Sequence, residues 1–279
     1  MSTKRLGKRL PKLDHRTLRL SRYLPTLSPP PAAIDHASKI APPVGMMGND
    51  SYGDCVVAAA AHMRQSWTAY SLAGQSRPTD PEIIAAYLTL SPRDEGLFPL
   101  DWLNYWRKTG LAGDKIEAYV ATDVTLVQAK LAIQMFGSHF VGLALPDTNT
   151  FGPWDVPRPP WPANPWNGHM VNLVAYDDAR AMFRAITWGE VIDMSYGWFL
   201  AYVDECYAVL NDIMLIQESG RSPEGFDWPR LETDLAAIND PTISDDPVVI
   251  VPPAPIPPEP NPDPWWCFTP KSLRHIFRR

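Results

Sequence analysis

Gly48-Asn49-Asp50-Ser51-Tyr52-Gly53-Asp54-Cys55-Val56-Val57-Ala58-Ala59-Ala60-Ala61-His62-Met63-Arg64-Gln65-Ser66-Trp67 is the stretch on which the fold turns. From Cys55 onward it is Ala-rich and apolar over most of a helical circumference, which predicts a helix buried on nearly every side. Gly48 and Gly53 bracket a turn that delivers the chain to the helix start, with Asp54 as candidate N-cap. A cysteine in the first turn of such a helix sits where N–H dipoles converge, a setting that favours thiolate over thiol. Taken alone, a buried cysteine is more often a small hydrophobe.

Working outward, Thr79-Asp80-Pro81-Glu82 is a helix start leading into Ile83 to Leu90. Leu100, Leu103 and Trp106 fall at helical spacing before Gly110, and Thr125 to Phe136 reads as a further helix stopped by Gly137. The period then changes. Phe140–Leu145, His169–Tyr176, Met182–Thr187 and Tyr207–Gln217 read as strands. Helices first and strands second predict an α+β domain of segregated halves, a helical lobe over about 45–136 and an antiparallel β lobe over about 137–220. Between two of these strands runs a Pro-rich segment, Pro146 to Gly168, that carries Trp154, Trp161 and Trp166 and leads straight into His169. Its length argues for a functional loop, and those tryptophans with Trp188 are candidates for a substrate rim.

The ends differ from the 41–225 domain. Residues 1–40 form a basic, Pro-containing arm in which Lys4, Arg5, Lys8, Arg9, Lys12, Arg16, Arg19 and Arg22 face the single acid Asp14 over residues 4–22. Such an arm either wraps its own domain or anchors to an acidic partner or a nucleic acid backbone. Residues 226–279 are read as a Pro-rich extension. Eight of the thirteen residues from Pro252 to Pro264 are proline, a composition for polyproline II, before Trp265-Trp266-Cys267-Phe268.

Net charge −6 gives no general case for nucleic acid binding. Three cysteines, Cys55, Cys206 and Cys267, without paired spacing do not read as a disulfide framework. No window is long and apolar enough to span a bilayer, and the basic start lacks the apolar run of a secretory signal, so cytoplasmic synthesis is expected. Cys55, His62 and His169 could be assembled as a metal set only without any close ligand pair. No metal or cofactor is expected, and His62 reads as a packed helix residue.

Several of these stretches together resemble the papain-like cysteine peptidase superfamily, in its bacterial and phage-type branches. Residues 48–55 are similar to the family's Gln-Gly-x-x-Gly-x-Cys motif, and Pro29-Pro30-Pro31-Ala32-Ala33-Ile34-Asp35 to its lead-in. Leu97 to Tyr105 with Lys108-Thr109-Gly110-Leu111 looks like the helix that ends in a Gly-Leu turn. Gly168-His169-Met170-Val171-Asn172-Leu173-Val174-Ala175-Tyr176-Asp177 resembles the strand presenting the catalytic histidine, and Thr187-Trp188-Gly189 the Asn-Ser-Trp-Gly element. The resemblance spans roughly residues 29–217 in order. It implies a two-lobe papain-like fold with a central helix starting at Cys55, Cys55 as nucleophile, His169 as base and Asn49 as oxyanion donor.

Two positions depart from the family pattern. Asn49 stands where the family has Gln, one methylene shorter, and Ile186 stands where the family has the His-orienting Asn. An isoleucine accepts no hydrogen bond, so Thr187, Asp177 or a main-chain carbonyl is the candidate to orient His169. Asp177-Asp178 otherwise reads as a hairpin turn.

Two functions follow. One is a thiol hydrolase of peptide or amide bonds acting on a peptide or protein substrate. The other is a non-catalytic papain-fold assembly protein, even a virion component, tied to neighbours through residues 1–40 and 226–279. Ile186 and the lack of a recognisable inhibitory segment favour the second.

Overall fold

The computed structural model describes residues 3–24, 29–71, 74–211 and 226–238. The expected polyproline segment, Cys267 and the end of the expected strand over Tyr207–Gln217 lie outside the described residues.

The central helix α1 (Cys55–Ser71) is buried all round over its first two turns, as its unbroken Val/Ala run requires. Around it pack α2 (Asp80–Leu90) and α3 (Pro99–Lys108), which close a core containing Trp67, Trp102, Trp106, Ile83 and Tyr87. Trp67 stacks on Trp106 at 5.9 Å and donates its Nε1–H to the Phe136 carbonyl at 2.9 Å, tying the helical lobe to the next element. The start of α2 is a capping box: Glu82 N–H donates to Thr79 Oγ1, and Thr79 N–H to the Glu82 carboxylate at 2.8 Å. Helix α4 (Leu126–Phe136) begins at Thr125 and ends at Gly137, whose φ of 71° is the left-handed C-cap that glycine enters without cost.

A seven-stranded antiparallel sheet forms the second lobe, in the order β2 (Ala118–Ala121), β7 (Val203–Leu210), β3 (His139–Ala144), β4 (Gly168–Asp177), β5 (Met182–Thr187) and β6 (Glu190–Ser195), with β1 (Ala33–Asp35) also paired to β4. β3 and β4 lie at its centre and are buried nearly throughout, so their side chains read as continuous apolar runs. The short helix α5 (Tyr196–Tyr202) bridges β6 to β7. Trp198 and Tyr202 from it join Trp154 and Phe183 in the sheet's core. Helix α1 packs directly on β4, which seats Cys55 against the strand that carries His169.

Five elements escape the sequence reading. β1, β2 and β6 are short strands without clean alternation, α5 is a short aromatic helix, and α6 (Trp228–Ile238) lies beyond residue 225, in the stretch read as an extension. Phe226 and Leu231 are buried with Tyr23 and Phe136, so this part of the chain and the arm share one apolar cluster. Among the described residues, no helix is long and apolar enough to cross a membrane.

Candidate active site

The site is built where the N-terminus of α1 meets β4. Cys55 is 1% exposed and His169 fully buried. The thiol lies against the backbone N–H of Met170, the residue after His169, and against that of Gly7. The His169 ring is fixed on two sides. Its face stacks on Trp188 at 4.1 Å with planes 15° apart, and its Nε2 is 2.6 Å from Thr187 Oγ1. Its Nδ1 is buried without a hydrogen-bond partner. Thr187 thus lies behind the ring, adjacent in sequence to Ile186, which is itself packed in an apolar cluster. Asp177 does not lie there. It ends β4, paired to Met182, and its carboxylate accepts from Ala179 N–H at 2.9 Å, the hairpin role of an Asx turn.

Asn49 is buried in the loop before α1, and its Nδ2 donates to the Tyr52 carbonyl at 3.1 Å. It braces the loop in this state. Asp54 supplies its backbone carbonyl to Val57 and Ala58 N–H, while its carboxyl makes no cap bond. That carboxyl is buried, which pushes it up to about 8 against the opposing pull of the Asn49 amide.

The tryptophans divide. Trp154 is a core residue, stacked on Trp198 and edge-on to His169, and Trp188 lies face to face with the imidazole; both are buried. Trp161 is half-buried against the same cluster. Trp166 alone of the four stands at a cleft mouth, 79% exposed, beside Leu6, Lys8, Gly96 and Phe98.

Residues 5–10 of the chain's own arm lie along that cleft. Arg5 N–H bonds the Asn49 carbonyl at 3.1 Å, and Gly7 and Lys8 N–H both bond the Gly168 carbonyl at 3.1 Å. Arg9 N–H and Leu97 N–H then close a two-way ladder with Leu97 O at 2.8 Å and Gly7 O at 2.8 Å. Residues 5–9 thus run extended past the loop before α1, the start of β4 and Leu97, joined to Leu97 by an isolated parallel bridge at Lys8 and with Gly7 beside Cys55. Trp188 Nε1–H holds the Arg5 carbonyl at 3.2 Å, so the ring under His169 also clasps the arm. The fit is close: a Cβ on Gly7 would fall 1.7 Å from the Gly53 carbonyl oxygen, and one on Gly168 1.9 Å from the Lys8 oxygen.

The arm's cations find acids on their own domain. Lys4 pairs with Glu190, Arg5 with Asp94, Lys12 with Asp101, Arg19 with Asp123 and Arg22 with Asp234, while Arg9 covers the Phe98 ring at 4.6 Å. Most are exposed pairs worth little singly. Lys8 is different, as it is 4% exposed and meets both Asp204 and Glu205.

Burial dictates the charge state. It pushes the Cys55 thiol up to about 12, opposed by the amides of Met170 and Gly7, and pulls His169 down to about 3. With the arm in place the site holds a neutral thiol and a neutral imidazole. Among the described residues, no cluster of three His, Cys, Asp or Glu forms a metal site.

This chain path, a buried helix opening on a cysteine and a sheet presenting a histidine, is the papain-like fold, α+β in class. Among solved structures that share it is xylellain, a cysteine protease from Xylella fastidiosa, 16% identical with a TM-score of 0.58, covering 76% of this chain and 98% of that one. A digestive procathepsin L 3 of Tenebrio molitor larval midgut is 11% identical at TM-score 0.53, covering 75% and 76%. A procathepsin B S9 from Trypanosoma congolense is 10% identical at 0.53, covering 72% and 85%. Neither a protein-family model nor a curated sequence relative matches the chain. At these identities the likeness is one of fold.

Proposed function

We propose that the chain is a thiol hydrolase of peptide or amide bonds, acting on a peptide or protein substrate and held latent by residues 4–9. Once the arm withdraws, water re-enters, the thiol falls and the imidazole rises toward ordinary values, and a proton passes from sulfur to ring. The Cys55 sulfur bonds to the acyl carbon, the C–N bond breaks, and His169 gives its proton to the leaving amine. Water then cleaves the thioester, losing its proton to His169. The backbone N–H of Cys55 and the side chain of Asn49, freed from the Tyr52 carbonyl, are the candidate donors to the oxyanion.

The observation that carries this reading is the Thr187–His169 pair at 2.6 Å. It supplies the orienting partner that Ile186 cannot, and leaves Nδ1 as the ring nitrogen with no other employment. The related fold of proteins named as proteases supports the substrate class.

The non-catalytic reading has one observation in its favour: in the closed chain neither Cys55 nor His169 ionises near neutral pH. It loses its anchor, since the arm's cations are engaged with the chain's own carboxylates. Turnover of a mixture of fluorescence-quenched peptides by the full chain carrying Gly7→Ala separates the two. Hydrolysis that disappears on adding Cys55→Ala is expected. No hydrolysis by a folded, arm-displaced chain would leave the scaffold reading.

A further inference from the structure

Lys8 occupies a pocket made for a cation. Its Nζ is 2.9 Å from Asp204 Oδ2, 3.1 Å from Glu205 Oε1 and 3.2 Å from the Arg9 carbonyl. Asp204 and Glu205 come from β7, in a strand otherwise buried and apolar apart from its edge. Gly142 of β3 makes room for the lysine stem, because a Cβ there would fall 2.7 Å from Lys8 Cε and 2.8 Å from Glu205 Cγ. Such a pocket is costly to leave empty. Glu205 is 8% exposed, and a buried carboxylate without its cation must take up a proton or remain uncompensated. Tyr207 O–H donates to Glu205 Oε2 at 2.8 Å and so aims the other oxygen at the cation. The pocket is one residue along from Gly7, whose N–H lies at the Cys55 sulfur.

We propose that Gly142, Asp204 and Glu205 form a subsite for the lysine or arginine side chain of a peptide, seated beside the residue that lies over Cys55. Its use in catalysis rests on the thiol hydrolase reading; its binding of peptides does not. Two carboxylates facing one ammonium reject an apolar or acidic side chain and suit a guanidinium fork as well. The arm is then a bound basic peptide supplied by the chain itself, and what displaces it in solution is another basic peptide.

Binding is measured on the full chain carrying Cys55→Ala, which removes chemistry, and Lys8→Glu, which repels the arm from the pocket. The probes are fluorescein-labelled peptides copying residues 5–10, with lysine, arginine, norleucine or glutamate at the place of Lys8. Fluorescence anisotropy should show the lysine and arginine peptides binding about tenfold or more tighter than the norleucine peptide, and the glutamate peptide weakest. Adding Glu205→Gln should erase the preference. Should Lys8→Glu lose its helical circular dichroism, Lys8→Met replaces it with the same expected order. Equal binding of all four peptides, or binding of none, overturns the subsite. Selective binding with no cleavage once Cys55 is restored keeps the subsite and removes the hydrolase.

Discussion

Gly7→Ala should raise the rate at which iodoacetamide alkylates Cys55 at pH 7 by about 10²–10³-fold. The added methyl would lie 1.7 Å from the Gly53 carbonyl oxygen, a backbone atom in the turn that launches α1, and that turn cannot yield without moving the helix start. The arm is the part that must move, giving up five backbone hydrogen bonds, largely exposed ion pairs and the buried pairing of Lys8 with Asp204 and Glu205. Its departure returns water to a thiol that burial holds near 12, and the thiolate fraction at pH 7 rises by roughly three powers of ten as the pKa returns toward about 8.5. Cys206 is an internal reference. It is buried, its thiol is also pushed up to about 12, and it hydrogen-bonds the Thr122 carbonyl. Peptide mapping by mass spectrometry should show Cys55 accelerated and Cys206 unchanged. Parallel acceleration of both would mean general unfolding, and an unchanged Cys55 in a folded chain would mean that the arm does not guard it.

In that opened chain, Thr187→Val should lower kcat by about 10- to 100-fold with little change in KM, and Thr187→Ser should restore most of it. Valine keeps the shape and removes the oxygen. Stacking on Trp188 fixes the plane of the imidazole but does not choose which edge faces the cleft. The hydroxyl at 2.6 Å from Nε2 makes that choice, and without it the ring can turn over and present the wrong nitrogen. A second pair, Thr122 with His139 at 2.7 Å, has the same geometry at the sheet's β2–β3 end, away from the α1 N-terminus. Thr122→Val should therefore leave kcat alone. Equal kcat for Thr187→Val and the opened parent would show that the ring needs no orienting partner.

Much of the scaffold was legible because single residues announced it. The apolar run after Cys55 specified a helix buried on all sides, Thr79 with Glu82 specified a start, and Gly137 specified a stop. What escaped was short or held by distant contacts. β2 has four residues and gains its place only by pairing with β7, and α5 packs aromatic residues that carry no helical period in seven residues. Helix α6 is stabilised through Leu231 against Tyr23, more than two hundred residues away in sequence, which no local pattern reports.

The site shows the same division. Residue type and setting single out Cys55 and His169; Thr187, legible by its place beside Ile186, bonds the His169 ring, whereas Asp177, conspicuous for its charge, serves a turn. Aromatic type and nearness to His169 in sequence fit Trp154 and Trp188 equally to a rim and to packing around the imidazole, and both are buried. The arm's position in the cleft was invisible, since a basic segment declares its charge and not its partner. One signal does lie in the sequence: Asp204-Glu205 is an acidic pair interrupting an apolar strand, and its Glu205 is buried and in want of a cation.

The pH at which Cys55 becomes reactive in the Gly7→Ala chain, with and without His169, bears most directly on the pairing of the two groups. An imidazole at the sulfur should bring the onset of alkylation well below the ~8.5 of an ordinary thiol, and His169→Ala should move it back up by one or more pH units. An onset indifferent to the histidine would mean that sulfur and ring exchange no proton.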